Sequence, residues 1–127
     1  MSEKIKYEIE FVVKASPKML YKFLSTHSGL SEWFADDVNS RGKKFSFFWD
    51  GSEEVAELIT KKTDQFIKFR WEEEEDEEAY FEFRITTDDL TNDVSLLVTD
   101  YADEDEVEES KQLWESQINS LLHAIGS

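Results

Sequence analysis

Aromatic side chains are the residues of this chain best suited to a binding site. The 127-residue sequence has four Trp and ten Phe, many of them alternating with polar residues in strand-like segments. Aromatic rings bury large apolar areas, and an indole N–H can orient a polar group, so such rings suit an apolar small molecule. The alternative is that the rings simply fill the core, because a small sheet can pack solid. The candidates for either role are Trp33, Phe47, Trp49, Phe69, Trp71, Phe83, Trp114 and Ile118.

Acidic side chains form two dense runs, and the formal net charge is -16. Residues 72–78 are all acidic, and residues 103–109 are acidic except for Val107. Such density repels phosphates and anionic lipid headgroups, which argues against binding to nucleic acid or to a membrane surface. The first run predicts either a solvated surface or a docking surface for a basic protein partner. Its members are Glu72, Glu73, Glu74, Glu75, Asp76, Glu77 and Glu78.

Residue types that hold metal ions are scarce or wrongly spaced. The sequence has no Cys, and neither His27 nor His123 has a carboxylate or a second His at ligand spacing. Asp103 and Asp105 begin like a calcium loop, but Glu108 stands where that loop requires Gly. The sequence therefore predicts no metal site and no cofactor.

Catalytic motifs are likewise missing from the sequence. There is no Gly-x-Ser-x-Gly, and the four glycines are scattered singly, so no glycine-rich phosphate loop is present. Asp36 and Asp37 are adjacent carboxylates, but neighbours at the start of a strand point to opposite sides. A carboxylate pair divides into acid and base only when one member is desolvated. We therefore predict no catalytic residue.

The elements that would position these side chains follow an α+β order. Residues 4–13 alternate between apolar and polar except at Val12, which predicts a half-buried strand. Ser16 and Pro17 predict the cap and first residue of a short helix ending at Leu24. Residues 26–29 predict a break, and residues 30–34 a second short helix. After residue 37, period-two segments separated by turns such as Asp50-Gly51 predict an antiparallel meander.

A long helix is predicted over residues 105–125. Trp114, Ile118 and Leu121 recur on one face, Asp103 or Asp105 can cap the start, and a glycine follows the end. An antiparallel sheet with one apolar face must cover that face, and only this helix is long enough to do so. We expect Trp114 to meet Trp49 or Trp71 there.

The order of several short motifs resembles a known superfamily. The motifs are IEFVVKASP at residues 9–17, LYKFL at 20–24, LSEWF at 30–34, Gly42 before Phe45, and Trp114 opening a leucine-rich stretch. Together they are similar to the START-like, helix-grip proteins, also called SRPBCC. The nearest resemblance is to short bacterial homologues of the heat-shock-protein ATPase activator. Leu113 replaces the glycine that commonly precedes the helix tryptophan, and the run at 72–78 replaces a less charged hairpin.

The resemblance implies a fold and a place for the aromatic residues. Residues 1–127 would form one START-like domain with a curved antiparallel sheet of about six or seven strands. Two short helices would follow the first strand, and the long C-terminal helix would cross the concave face. A cavity between sheet and helix would be lined by the eight candidates above.

Three functions stay open. The first is a non-enzymatic domain that binds a hydrophobic small molecule or lipid-like ligand between sheet and helix. The second is a protein-interaction or co-chaperone-like module that docks through its acidic surface. A cyclase or hydratase ranks last, because the inward positions are almost all apolar. Residues 1–6 do not resemble a signal peptide and no stretch has membrane-spanning length, so we expect a cytoplasmic protein. We also expect a monomer or a weak dimer.

Overall fold

The computed structural model describes residues 4–126, which form one seven-stranded sheet and three helices. The strands are β1 (Ile5–Val13), β2 (Asp37–Arg41), β3 (Lys44–Trp49), β4 (Ser52–Lys62), β5 (Phe66–Trp71), β6 (Phe81–Thr87) and β7 (Val94–Ala102). The helices are α1 (Pro17–Ser25), α2 (His27–Leu30) and α3 (Val107–Ile125), and a single 3-10 turn at Glu104–Glu106 precedes α3.

Every strand pair in the sheet is antiparallel, in the order β1-β7-β6-β5-β4-β3-β2. The meander from β2 to β7 joins sequence neighbours, whereas β1 pairs with the last strand, Ile5 opposite Ala102 and Val13 opposite Val94. A register shift between Leu58 and Thr60 marks a bulge, which bends β4. The predicted curved sheet of six or seven strands is confirmed.

Helix α3 covers the apolar face of the sheet, as predicted. Its buried residues are Trp114, Ile118 and Leu121, which share one core cluster with residues from all seven strands. The helix ends at Gly126, whose φ of 84° is left-handed and whose N–H bonds back to the carbonyls of Leu122 and His123. The start differs from the prediction, because the N-cap residue is Glu106 and its side chain makes no capping hydrogen bond.

The second short helix lies earlier than the sequence predicted. Helix α2 occupies residues 27–30, most of the expected break, while residues 31–34 form a turn. Thr26 sets the boundary, since its hydroxyl caps α2 by accepting the Gly29 N–H at 2.9 Å. Gly29 is required by close packing on α1, because an added Cβ would lie 2.2 Å from the carbonyl oxygen of Lys22.

Helix α1 begins as predicted. Ser16 is its N-cap and accepts the Met19 N–H at 3.1 Å, and Pro17 is the first helical residue. Within residues 4–126, no helix combines the length and apolarity needed to cross a membrane.

Candidate binding site

The eight predicted site residues lie together under α3, and most are closed off from solvent. Phe47, Phe69, Phe83 and Ile118 are fully buried, Trp33 and Trp114 are buried, and Trp49 and Trp71 are half-buried. The rings of the seven aromatic members contact one another with centroid separations that are typical of packed aromatic pairs. Examples are Phe47 and Trp71 at 5.6 Å, Trp33 and Phe83 at 5.6 Å, and Phe83 and Trp114 at 5.7 Å.

Phe34 is the central ring of this cluster, and the sequence reasoning did not single it out for the site. Its centroid lies 5.7 Å from that of Trp114, stacked at 14°, and 5.4 Å from that of Trp49. It also contacts Trp33 and Phe47, at 5.3 and 5.1 Å. Trp114 was expected to meet Trp49 or Trp71, whereas its ring contacts are with Phe34, Phe81 and Phe83. The sequence feature that could have identified Phe34 is its position directly after Trp33, as the second aromatic residue of the pair.

Three of the indole N–H groups donate hydrogen bonds inside the protein. Trp33 Nε1 donates to the Phe23 carbonyl at 2.8 Å, and Trp49 Nε1 donates to the Phe34 carbonyl at 2.9 Å. Trp114 Nε1 donates to Asp100 Oδ2 at 2.9 Å. These bonds fix ring orientation, so the three donors are already used by the fold.

Asp100 is a carboxylate under α3 that was not among the predicted site residues. Its Oδ2 accepts from Trp114 and from the Tyr7 hydroxyl at 3.4 Å, and its Oδ1 accepts the Tyr101 N–H at 2.8 Å. Tyr7 shares a further hydrogen bond with Ser110 of α3. Asp100 could have been found from the alternation of β7, because it occupies the same face as Val98.

Burial shifts the titration of this polar cluster. Burial raises the pKa of the Asp100 carboxyl, against the hydrogen bond from Trp114, which lowers it. Burial likewise raises the pKa of Tyr7 to about 12, against the hydrogen bond with Ser110. The cluster therefore holds a carboxylate whose charge is poorly solvated and whose oxygens are occupied by donors from β1, β7 and α3.

An open groove of about 490 Å³ runs beside α3 where the aromatic cluster reaches the surface. Trp49 and Phe34 border it on one side, and Gln117 and Ser120 border it from α3. Gln117 Nε2 donates to the Phe34 carbonyl at 3.2 Å. Asp36 lies at its rim, is exposed, and accepts the Asp50 N–H at 2.9 Å.

A second depression of about 720 Å³ adjoins this groove and shares Glu32 and Ser120 with it. Its lining includes Asn119, His123 and Ala124. His27 lies apart from these residues, with its Nδ1 3.4 Å from the Ser40 hydroxyl. Across residues 4–126, no group of three His, Cys, Asp or Glu side chains is placed to hold a metal ion.

The acidic run at residues 72–78 forms the connection between β5 and β6. Arg70 braces it by donating to the carbonyl oxygens of Asp76, at 3.0 Å, and Glu77. Lys4 Nζ lies 2.6 Å from Glu74 Oε1, in an ion pair whose side chains are 32% and 10% exposed. Burial works against the charged form of Glu74, but the bonds from Lys4 and the Asp76 N–H lower its pKa overall.

Lys4 also brings the two acidic runs together. An open depression of about 410 Å³ is lined by Lys4 together with Asp103, Glu106 and Glu109 of the second run. The two runs therefore lie on either side of one lysine, at the end of the molecule where β1 begins and β7 ends. The sequence could not show this, since the runs are separated by β6 and β7.

Solved structures from several bacteria are similar to this chain. The solution structure of BfR322 from Bacteroides fragilis is 33% identical, with 98% of this chain and 92% of that chain covered and a TM-score of 0.70. The solution structure of the Aha1 dimer from Colwellia psychrerythraea is 18% identical, covering 95% of this chain and 96% of that one, with a TM-score of 0.80.

A third similar structure is DynU16, described as a putative protein in the dynemicin biosynthetic locus. It is 14% identical, with 96% of this chain but 47% of DynU16 covered and a TM-score of 0.77. At this identity and at that of the Aha1 dimer, the likeness shows the fold alone. No curated protein sequence matches this chain.

The family model described as a START-like superfamily domain matches residues 1–127. It agrees with the β1-α1-α2 order, the curved sheet and the covering helix α3. The chain belongs to the START-like superfamily.

Proposed function

We propose that this START-like domain is non-enzymatic and binds a small, largely apolar molecule at the groove beside Trp49. The observation that supports the proposal most strongly is the position of Trp49. It is half-buried, packs against Phe34 and Phe47 at 5.4 and 5.9 Å, and borders the open groove. Because neighbouring rings already fix its orientation, the partly exposed Trp49 indole offers apolar contact area and loses little further conformational freedom when a ligand binds.

The size of the groove supports the same proposal. Its volume of about 490 Å³ falls within the range of small-molecule sites. The Gln117 amide and the Ser120 hydroxyl offer polar contacts at the rim, next to the rings of Trp49 and Phe34. The exposed Asp36 carboxylate disfavours an anionic group at the same position. A neutral aromatic ligand fits this lining better than a fatty acid.

The buried candidate residues would be contacted only by a ligand that enters the interior. Phe47, Phe69, Phe83 and Ile118 would contact a ligand only after neighbouring rings move, because they are fully buried. Trp33, Trp71 and Trp114 belong to the same ring cluster. A ligand that enters the interior must therefore replace ring contacts, whereas one that stays on Trp49 leaves them in place.

The test is a titration of the protein with a neutral flavonoid and, separately, with a fatty acid. We expect the flavonoid to quench tryptophan fluorescence, raise the melting temperature and shift the Trp49 indole N–H signal in NMR spectra. The W49A variant should bind at least about tenfold more weakly. The matched control is F66L, a half-buried aromatic on the opposite face of the sheet. No thermal shift and no NMR change with either compound would overturn the proposal.

A second function is favoured by the position of Lys4. Because the two acidic runs meet there, they offer one continuous negative surface, which supports a protein-interaction module for a basic partner. Replacing Glu72, Glu73, Glu75, Glu77 and Glu78 by Gln should weaken binding to a polylysine peptide. Glu53, Glu54 and Glu57 of β4, replaced in the same way, are the control. Equal binding by both variants would remove this function.

A further inference from the structure

The sheet has two edge strands of different character. Strand β2 is short, and Val38 is the only apolar residue among its five. Strand β1 has nine residues and forms the other edge, with β7 as its only partner strand in the part of the chain that is described. Its outer edge presents backbone N–H and C=O groups of alternate residues, a template for another strand.

The apolar side of β1 is incompletely covered. Ile5 is 42% exposed, and Ile9 and Phe11 are half-buried, although all three point to the same face as the buried Tyr7. Edge strands are commonly protected by shortness, proline, bulges or inward-pointing charges. Strand β1 is nine residues long, with no proline, no register shift against β7 and no charge on its inner face, although Lys6 on its outer face is a charged side chain of the kind that also protects edges.

The charges of β1 are complementary to those of a second, antiparallel copy. On the outer face, Lys6 and Glu8 flank Tyr7, and both are exposed. An antiparallel pair centred on Tyr7 places Lys6 of each copy opposite Glu8 of the other. It also places Ile5 opposite Ile9 on the apolar face. Opposed Cβ atoms in such pairs lie about 5 Å apart, within reach of an ion pair and of apolar contact.

Two neighbouring registers of the same pairing are disfavoured by charge. Centring on Ile9 would place Glu8 opposite Glu10 twice, and centring on Glu8 would place Glu8 opposite its own copy. Like charges directly opposite one another destabilise a strand pair. The Tyr7-centred register is the one among these in which every outer-face pair from residue 6 to residue 8 is attractive or neutral.

We propose that the β1 edge is a self-association surface, at which two copies of this chain pair antiparallel about Tyr7 and join their sheets. The net charge of -16 on each copy opposes association, so the dimer is weak and strengthens with salt. Glu8 keeps its contact with Thr99, whose hydroxyl donates to Oε2 at 3.3 Å, while the carboxylate offers its other oxygen to Lys6 of the second copy.

Sedimentation velocity over concentrations up to millimolar tests the proposal. The unmodified chain should form a dimer, and K6E and E8K should each raise its dissociation constant by about tenfold, since each variant creates two like-charge pairs. The double variant K6E/E8K should dimerise again, because its pairs are opposite in sign. An equimolar mixture of K6E and E8K should form a heterodimer.

The matched control is R41E, which makes the same charge change on the exposed edge strand β2. It should associate as the unmodified chain does. A chain that stays monomeric at every concentration, an R41E variant as weakened as K6E, or a double variant that fails to recover would overturn the proposal. Circular dichroism of each variant checks folding, and recovery in the mixture cannot come from misfolded chains.

Discussion

Trp114 of α3 donates its indole N–H to the carboxylate of Asp100 on β7 at 2.9 Å. This bond joins the C-terminal helix to the strand that pairs with β1, and Tyr7 and Ser110 extend it across the same junction. A hydrogen bond to a charged acceptor away from water contributes more than one to a neutral carbonyl. The helix is therefore fixed by a specific polar contact as well as by apolar burial.

The W114F variant tests the strength of that bond. It keeps an aromatic ring but removes the donor, and we expect a loss of about 2–4 kcal/mol in the free energy of unfolding. The control is W33F, which makes the same truncation at a buried Trp whose N–H donates to the neutral Phe23 carbonyl. Urea unfolding should show a larger loss for W114F, and an equal loss would contradict the role given to Asp100.

The raised pKa of Asp100 predicts a pH dependence. Burial raises this pKa above the ordinary value of 3.8, so the folded state binds the proton more readily than the unfolded state. The stabilisation from protonation is fully present below the unfolded pKa and is lost as pH rises through the folded pKa. The stability of the unmodified chain minus that of D100N should therefore increase as pH falls from neutral. Urea unfolding over a pH series measures this difference, and a difference that falls on acidification would refute it.

Phe34 should be one of the most sensitive core positions. It is 4% exposed and packs against rings from the sheet and from α3, so F34A should cost about 3–5 kcal/mol. The control is F11A on the edge strand, where the ring is half-buried and the cost should be smaller. Thermal and urea unfolding measure both costs. Equal losses would show that Phe34 is not the central ring of the cluster.

The Lys4–Glu74 pair predicts an unequal effect of two lysine substitutions. K4M leaves the Glu74 carboxylate, 10% exposed, without its ion-pair partner, and should cost about 1 kcal/mol. K44M breaks a longer pair with Glu72, 3.9 Å and well exposed, and should change stability by less than about 0.5 kcal/mol. Because the Glu74 pKa is lowered, the cost of K4M should disappear as pH falls through that folded pKa. Urea unfolding of both variants, near neutral pH and in acid, measures these differences. Equal costs would count against the pair.

Gly29 provides a steric prediction. In G29A the new Cβ would meet backbone atoms of α1, at 2.2 Å from the Lys22 oxygen and 2.7 Å from the Phe23 Cα, so the helices must separate. We expect a loss of about 2–4 kcal/mol in the free energy of unfolding, measured in urea. G42A is the comparison, because nothing lies within 4 Å of its added Cβ and its φ of 60° costs about 1 kcal/mol. A smaller loss for G29A than for G42A would contradict the predicted clash.

Local patterns predicted the sheet and α3 because each strand and helix carries its own period. The alternation in β1 and the spacing of Trp114, Ile118 and Leu121 are visible within short windows of sequence. The position of α2 was predicted wrongly, because the capping hydroxyl of Thr26 decides a four-residue helix more strongly than any apolar spacing does.

The contacts of the candidate site depend on residues far apart in the chain. Asp100 meets Tyr7 and Trp114 only after β1 has paired with β7 and α3 has folded back. The place of Phe34 between Trp114 and Trp49 depends on the turn after α2. No short-range pattern encodes these long-range contacts, which is why the ring partners of Trp114 were predicted wrongly.

The pairing of β1 with β7 also affects the order in which the strands can fold during translation. Ile5 has no strand partner until Ala102 has been synthesised, so β1 must wait while the meander from β2 to β7 forms from sequence neighbours. Long-range pairings of this kind raise contact order and slow folding. Until β7 is available for pairing, the lysines and glutamates that alternate with the apolar residues of β1 keep this segment hydrated, as gatekeeper residues do.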